Sequence, residues 1–182
     1  MADFNWAMNV IFRHEGGLAD NPHDKGGITN FGITIGFLKT DELCQKYFGH
    51  PLPVTRDDIR GMSKDLAQQI YKNEIWDFNR YGEISDNKVA TKIFDCTVNM
   101  GEGWGETFAQ QAANRCGQSV VVDGQIGPKS IAAINVCNPD QFLKEYCQQQ
   151  KERYEHIVLK DPSQSIFLKT WLARAMWPLN GD

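Results

Sequence analysis

Phe4 to Ile35 reads FNWAMNVIFRHEGGLADNPHDKGGITNFGITI, and the change of pattern inside this stretch decides the fold. Phe4, Ala7, Met8 and Ile11 fall on one face of a helix that runs to about Arg13. The helix stops at Glu15-Gly16-Gly17, where paired glycines end it. Asn, Pro, Asp and Gly then dominate, followed by Ile28-Thr29-Asn30-Phe31-Gly32-Ile33-Thr34-Ile35. β-Branched residues with interspersed glycines predict one small, irregular β-hairpin.

Beyond this stretch the signals are helical. A helix is expected from about Phe37 to Tyr47, then a loop through Pro51 and Pro53, and a short turn starting at Thr55-Arg56-Asp57-Asp58. Ser63 and Asp86 are N-cap residues for two amphipathic segments, the second closed by Gly101. Phe108 to Arg115 is another helix, stopped by Gly117. Gly127-Pro128 and Asn138-Pro139 each place proline at a first helical position and open helices near 128–136 and 139–157. Pro162-Ser163 starts the last. Seven to eight helices with one β-hairpin make a mainly α (α+β) chain.

The 182 residues are 41% hydrophobic and 23% charged, which places the chain in the globular class with a core of its own. No apolar run reaches the ~18 residues of a membrane span, and the N-terminal residues lack a signal peptide's pattern. The reading is a chain made in the cytoplasm without stable membrane insertion. Net charge is −4, with 10 basic and 13 acidic residues in 1–90 against 9 and 10 in the remainder. Neither half is a basic arm, so nucleic acid is not an expected partner. Cys44, Cys96, Cys116, Cys137 and Cys147 are odd in number and irregularly spaced, which fits reduced, mostly buried thiols.

Glu15 is the residue that local rules leave unexplained. The negative end of the helix dipole disfavours a carboxylate there by a few tenths to about 1 kcal/mol. Such conflicts with good helix design tend to be functional, and a carboxyl that resists ionisation is what a general acid needs. Asp24 lies nine residues on, in a polar glycine-rich turn that keeps a carboxylate ionised. Two carboxyl groups in unlike settings are the equipment of glycoside hydrolysis. A surface glutamate and an Asx-turn aspartate would read the same way. His14 and His23 flank the pair, but no third ligand is spaced for zinc, so no metal and no cofactor is expected.

The segments His14-Glu15-Gly16-Gly17-Leu18, Asn21-Pro22, Asp24, Gly26-Gly27-Ile28-Thr29-Asn30 and Phe31-Gly32-Ile33-Thr34 together resemble glycoside hydrolase family 108. Tyr71 and Trp76 are similar to that family's Tyr-x(4)-Trp element. In the second half, Phe94-Asp95-x-x-Val98-Asn99-x-Gly101, Gln110-x-Ala112, Asp123-Gly124-x-Ile126-Gly127-Pro128 and Trp171-Leu172-x-Arg174 resemble its companion peptidoglycan-binding segment. The resemblance implies a lysozyme-like fold, with a catalytic lobe at 1–88 and a helical lobe at 89–182 packed with it as one compact unit. It also implies hydrolysis of the β-1,4 bond between N-acetylmuramic acid and N-acetylglucosamine, with Glu15 as catalytic acid and peptidoglycan glycan strands as partner.

Related phage lysozymes carry Glu-x(8)-Asp/Cys-x(5)-Thr. Here Glu15 and Asp24 keep the first spacing, while Asn30 stands at the threonine position and the threonine is Thr29. Which of the two places water stays open, as does whether Asp24 stabilises the cation or activates water. Asp95 and Asn99 share a helix face and are expected either to bind sugar groups or to form a buried polar pair. Asp123 to Pro128 reads either as a ligand loop or as a turn before a proline-started helix. Trp104, between two glycines, is the expected saccharide contact; Trp6, Trp76 and Trp171 sit in apolar stripes. A lytic transglycosylase and a non-catalytic peptidoglycan-binding protein are the alternatives. The substrate lies outside the inner membrane, so action in the periplasm or cell wall would follow release through a holin-like pore or by lysis, as a phage-type endolysin or a secretion-associated enzyme.

Overall fold

In the computed structural model, which describes residues 1–20, 27–101 and 103–180, the chain is mainly helical with a single two-stranded antiparallel sheet among those residues. It divides into two units: Met8–Phe78, and Met1–Ala7 with Asn79–Asp182. The division therefore falls after Phe78 instead of at 88, and the first residues of helix α1 (Phe4–Glu15) count with the second half of the chain.

In Met8–Phe78, the apolar face of α1 supplies Met8, Val10 and Ile11 to the core. Strands β1 (Thr29–Asn30) and β2 (Ile33–Thr34) pair Thr29 with Thr34 and Asn30 with Ile33. Ile28 and Ile33 are buried, as alternation across a half-buried hairpin requires. Helix α2 (Asp41–Phe48) starts later than its apolar spacing suggests, because Thr40 caps it by accepting from Leu43 N. The turn expected at Thr55 is a one-and-a-half-turn helix, α3 (Arg56–Arg60), set by a capping box in which Thr55 and Asp58 bond reciprocally. Ser63 caps α4 (Lys64–Tyr71) as expected. Its end widens into a π-helical turn, Lys72–Asp77, that buries Ile75 and Trp76.

The second unit is built on α5 (Asn87–Met100), capped by Asp86 and buried continuously from Val89 to Thr97. A helix buried on every side sits at the centre of its unit. Around it lie α6 (Trp104–Arg115), α7 (Pro128–Val136), α8 (Pro139–Lys160) and α9 (Ser165–Met176), the last entered through a 3₁₀ turn at Pro162–Gln164. Both proline-started helices begin where the sequence places them. Helix α6 starts four residues before the expected Phe108, because Glu106 reaches back to the Gly103 N–H at 2.7 Å. All five cysteines are free thiols, four of them buried. No described helix is long and apolar enough to cross a membrane.

Candidate active site

Glu15 is the last residue of α1, and Gly16 takes the left-handed conformation (φ 70°) that terminates the helix beneath it. From there the chain runs back to the hairpin, where Ala19 and Thr29 exchange backbone hydrogen bonds of 2.8 and 2.9 Å. Asp20 is held by Arg60 at 2.7 Å and by Arg56, and these bonds, Arg60's first, keep its carboxyl below the usual range. The segment that contains Asp24 lies outside the described residues, so the structure adds nothing to that assignment.

The hairpin tip is the two-residue turn Phe31-Gly32, with φ of 52° and 83°. Positive φ at both central residues is the type I′ signature, and it matches the twist of the strands. For an aromatic residue this conformation is uncommon and costs strain. Two contacts hold Phe31 there. Tyr71, buried at the end of α4, donates its hydroxyl to Phe31 O at 2.9 Å, and the Phe12 ring meets the Phe31 ring edge-on at 5.7 Å.

The geometry at Gly32 ties these parts to Glu15. A Cβ at Gly32 would lie 2.7 Å from Glu15 Oε2, 2.7 Å from the Tyr71 hydroxyl and 2.8 Å from Glu15 Cγ. The glutamate side chain therefore rests on the bare backbone of the hairpin tip, beside the tyrosine hydroxyl that pins the same turn. Glu15 itself is half-buried. A carboxyl seated on a strained turn and still open to solvent can deliver a proton to a ligand at fixed geometry.

The other expected site residues divide sharply. Thr29 is half-buried on β1, on the face opposite Asn30. Asn30 is 4% exposed, and its amide donates to Ile59 O at 3.0 Å and Met62 O at 3.2 Å. Its donors are spent on the carbonyls that end α3, so Asn30 anchors the hairpin and does not present its amide to a substrate. Asp95 is completely buried and held bidentately by Arg174, at 3.0 Å to Nε and 2.8 Å to Nη2. The expectation of a sugar-binding Asp95 gives way to an internal ion pair, since a buried carboxylate is tolerable only when matched in this way. Lys92 lies beside it, fully buried, donating to the Arg174 and Ala175 carbonyls at 2.8 Å. Burial pushes its pKa down.

Asn99 and Trp104 do come together. They line a cavity of about 200 Å³ with Met100, Arg153, Tyr154 and Trp171. Asn99 accepts from the Tyr154 hydroxyl at 2.5 Å, Tyr154 stacks on Trp171, and the Arg153 guanidinium lies 4.1 Å over the half-exposed Trp104 ring. Among the described residues no cluster of His, Cys, Asp and Glu could hold a metal ion. Tyr71 is a site residue whose place no local pattern reveals: the Tyr-x(4)-Trp element gives it no role, and only the fold brings it to Glu15.

The model for glycosyl hydrolase 108 matches residues 8–101, about half the chain, and spans Glu15, the hairpin and Tyr71. The chain belongs to glycosyl hydrolase family 108. A model described as a predicted peptidoglycan domain matches residues 105–176 of this family 108 protein, so a peptidoglycan hydrolase is the assignment that the two matches support together. The structure of Brucella abortus SagA is similar over 94% of this chain and 88% of its own, with 27% identity and a TM-score of 0.73. No curated protein matches the chain.

Proposed function

We propose that this family 108 hydrolase is an N-acetylmuramidase that cleaves the β-1,4 bond between N-acetylmuramic acid and N-acetylglucosamine. The observation that carries the reading is the Glu15 carboxyl seated against Gly32 and the Tyr71 hydroxyl at the strained hairpin tip. Glu15 gives its proton to the glycosidic oxygen as the C–O bond breaks and positive charge builds on the sugar. Water then adds its hydroxyl to the anomeric carbon and returns a proton to the enzyme. Asp24 is the counterpart, either stabilising the cation or activating that water, and Thr29 on β1 helps to place the water. A carboxyl separation of about 5 Å would favour retention and roughly 6.5–9.5 Å inversion. Asn99 and Trp104 are the saccharide contacts of the helical unit. The enzyme acts in the periplasm or cell wall after holin-type or lytic release, in the manner of a phage endolysin or a secretion-associated hydrolase.

The test is mass spectrometry of soluble fragments from sacculi treated with wild type and with Glu15→Gln. Reducing N-acetylmuramic acid ends from wild type alone are the expected result. Anhydro ends would make the enzyme a lytic transglycosylase, and undiminished cleavage by Glu15→Gln would remove Glu15 from the chemistry.

A further inference from the structure

Peptidoglycan offers two kinds of handle: pyranose rings, and short peptide stems that carry ammonium and carboxylate groups. Two concave sites lined by described residues of the helical unit differ in chemistry. One is the aromatic cavity around Trp104 and Trp171. The other, about 610 Å³, lies beside the start of α7, and its described lining includes no aromatic ring. Its size is that of a site for a small organic ligand, but a sugar there would find no face to stack on.

What lines this second cavity is a loop hydrogen-bonded to α6 together with the first turn of α7, and between them they carry charges of both signs. Gln110, 1% exposed on α6, organises the loop from below. Its Oε1 accepts from Asp123 N at 3.0 Å and Gly124 N at 2.9 Å. Its Nε2 donates to Asp123 Oδ1 at 2.7 Å, Gln125 O at 2.9 Å and Ser130 Oγ at 3.2 Å. One buried amide thus fixes both edges of the loop, which explains why the Gln110 and Asp123 motifs occur together. The bonds that Asp123 accepts from Gln110 and from Gln125 N both end on Oδ1, leaving Oδ2 for a ligand. Those same bonds, Gln110's first, hold its carboxyl below the usual range, so it is charged at neutral pH. Lys129, in the first turn of α7, supplies the opposite sign, and Val120 and Val121 supply an apolar wall.

We propose that this cavity binds the peptide stem of peptidoglycan through a residue whose side chain ends in both an ammonium and a carboxylate, as in diaminopimelic acid. Asp123 takes the ammonium, Lys129 takes the carboxylate, and the valines cover the methylenes between. The proposal rests on the reading of the chain as a peptidoglycan hydrolase for the identity of the polymer. It does not rest on Glu15 or on which bond is cut.

The experiment titrates the full chain with three probes and follows the backbone amide shifts of residues 119–130. The probes are the tripeptide Ala-γ-Glu-diaminopimelate, the same tripeptide ending in lysine, and chitotetraose. The diaminopimelate stem is expected to shift these amides saturably and to bind about tenfold more tightly than the lysine stem, the worth of one charge-assisted bond. Lys129→Glu should weaken the diaminopimelate stem by at least about tenfold and leave the lysine stem no weaker. An unchanged melting temperature would show that this exposed substitution leaves the fold intact. No shifts with either peptide, equal affinity for both, or shifts produced by chitotetraose would overturn the proposal. The probes contain no muramyl bond, so loss of the muramidase reading would leave this test standing, and a failed titration would leave that reading untouched.

Discussion

The described ion pairs of the Met8–Phe78 unit lie at the surface, whereas the helical unit, besides surface pairs such as Arg80–Glu83 and Arg115–Glu145, draws one pair into its core. Lys46 meets Glu74, Lys72 meets Asp77, and Arg56 and Arg60 meet Asp20, all with substantial exposure. In the helical unit Asp95 is fully buried against an Arg174 that is nearly so, and Glu106 is sealed in with Tyr81 and Thr97. The difference teaches how to read a polar residue inside a family motif. Glu15 sits half-buried over an open turn, where a carboxyl can do chemistry. Asp95 sits in a filled interior, where a carboxylate can only hold elements together. Both stand in equally convincing motifs.

The largest effect that tests this contrast is on turnover. Glu15→Gln should lower sacculus cleavage by about a thousandfold, within the usual contribution of a general acid, while the melting temperature stays unchanged. A variant that kept its activity and lost stability would invert the comparison.

The complementary change is Arg174→Met, which leaves Asp95 buried without its partner. Breaking a buried pair in this way costs about 3–5 kcal/mol, to be read from urea unfolding. Asp95→Leu combined with Arg174→Met should recover most of that loss, because the pair is then replaced by apolar volume. A single-variant cost below about 1 kcal/mol would mean that the carboxylate is not dependent on Arg174.

Third comes Gly32→Ala. A side chain at φ 83° is strained by roughly 1–2 kcal/mol, and its Cβ would collide with the Glu15 carboxylate and the Tyr71 hydroxyl. Displacing a reacting group by about 1 Å can cost a hundredfold in rate, so activity should fall by about that factor with only a modest drop in stability. Unaltered kinetics would show that Glu15 does not need the hairpin tip beneath it.

The sequence makes these parts legible to different depths, and the reason is range. Ser63, Asp86, Gly127-Pro128 and Asn138-Pro139 mark helix starts because a cap is satisfied within three or four residues. Glu15 and the hairpin are legible for the same reason. The start of α6 is also legible in Gly103-x-x-Glu106, where the glutamate three residues on accepts from the glycine N–H. What composition hides is long-range pairing. Asp95 finds Arg174 79 residues away, Asn30 finds Ile59 O and Met62 O across a loop, and Tyr71 reaches Phe31 from the far end of another helix. No local pattern distinguishes an asparagine aimed at a carbonyl from one aimed at a sugar. Asp24 remains a reading of spacing alone.

The smallest effect concerns the surface electrostatics of the Met8–Phe78 unit. His50 lies after α2 with Nδ1 at 2.8 Å from Pro51 O and Nε2 at 3.1 Å from Asp58 Oδ1. Acceptors at both ring nitrogens favour the imidazolium, and these contacts, the Pro51 carbonyl's first, raise its pKa above the ordinary 6.5. A group whose pKa is higher folded than unfolded contributes stability that is complete below the unfolded value and is lost as pH rises through the folded one. Melting temperature should therefore fall slightly between about pH 6 and about pH 8, and His50→Gln should flatten that fall. Because His50 is well exposed, water screens the interaction and the change will be small beside that of Arg174→Met. Equal slopes in wild type and variant would show that the histidine contributes nothing. A slope in wild type larger than the Arg174→Met effect would mean that surface charge, and not the buried pair, carries the greater part of the electrostatic stability.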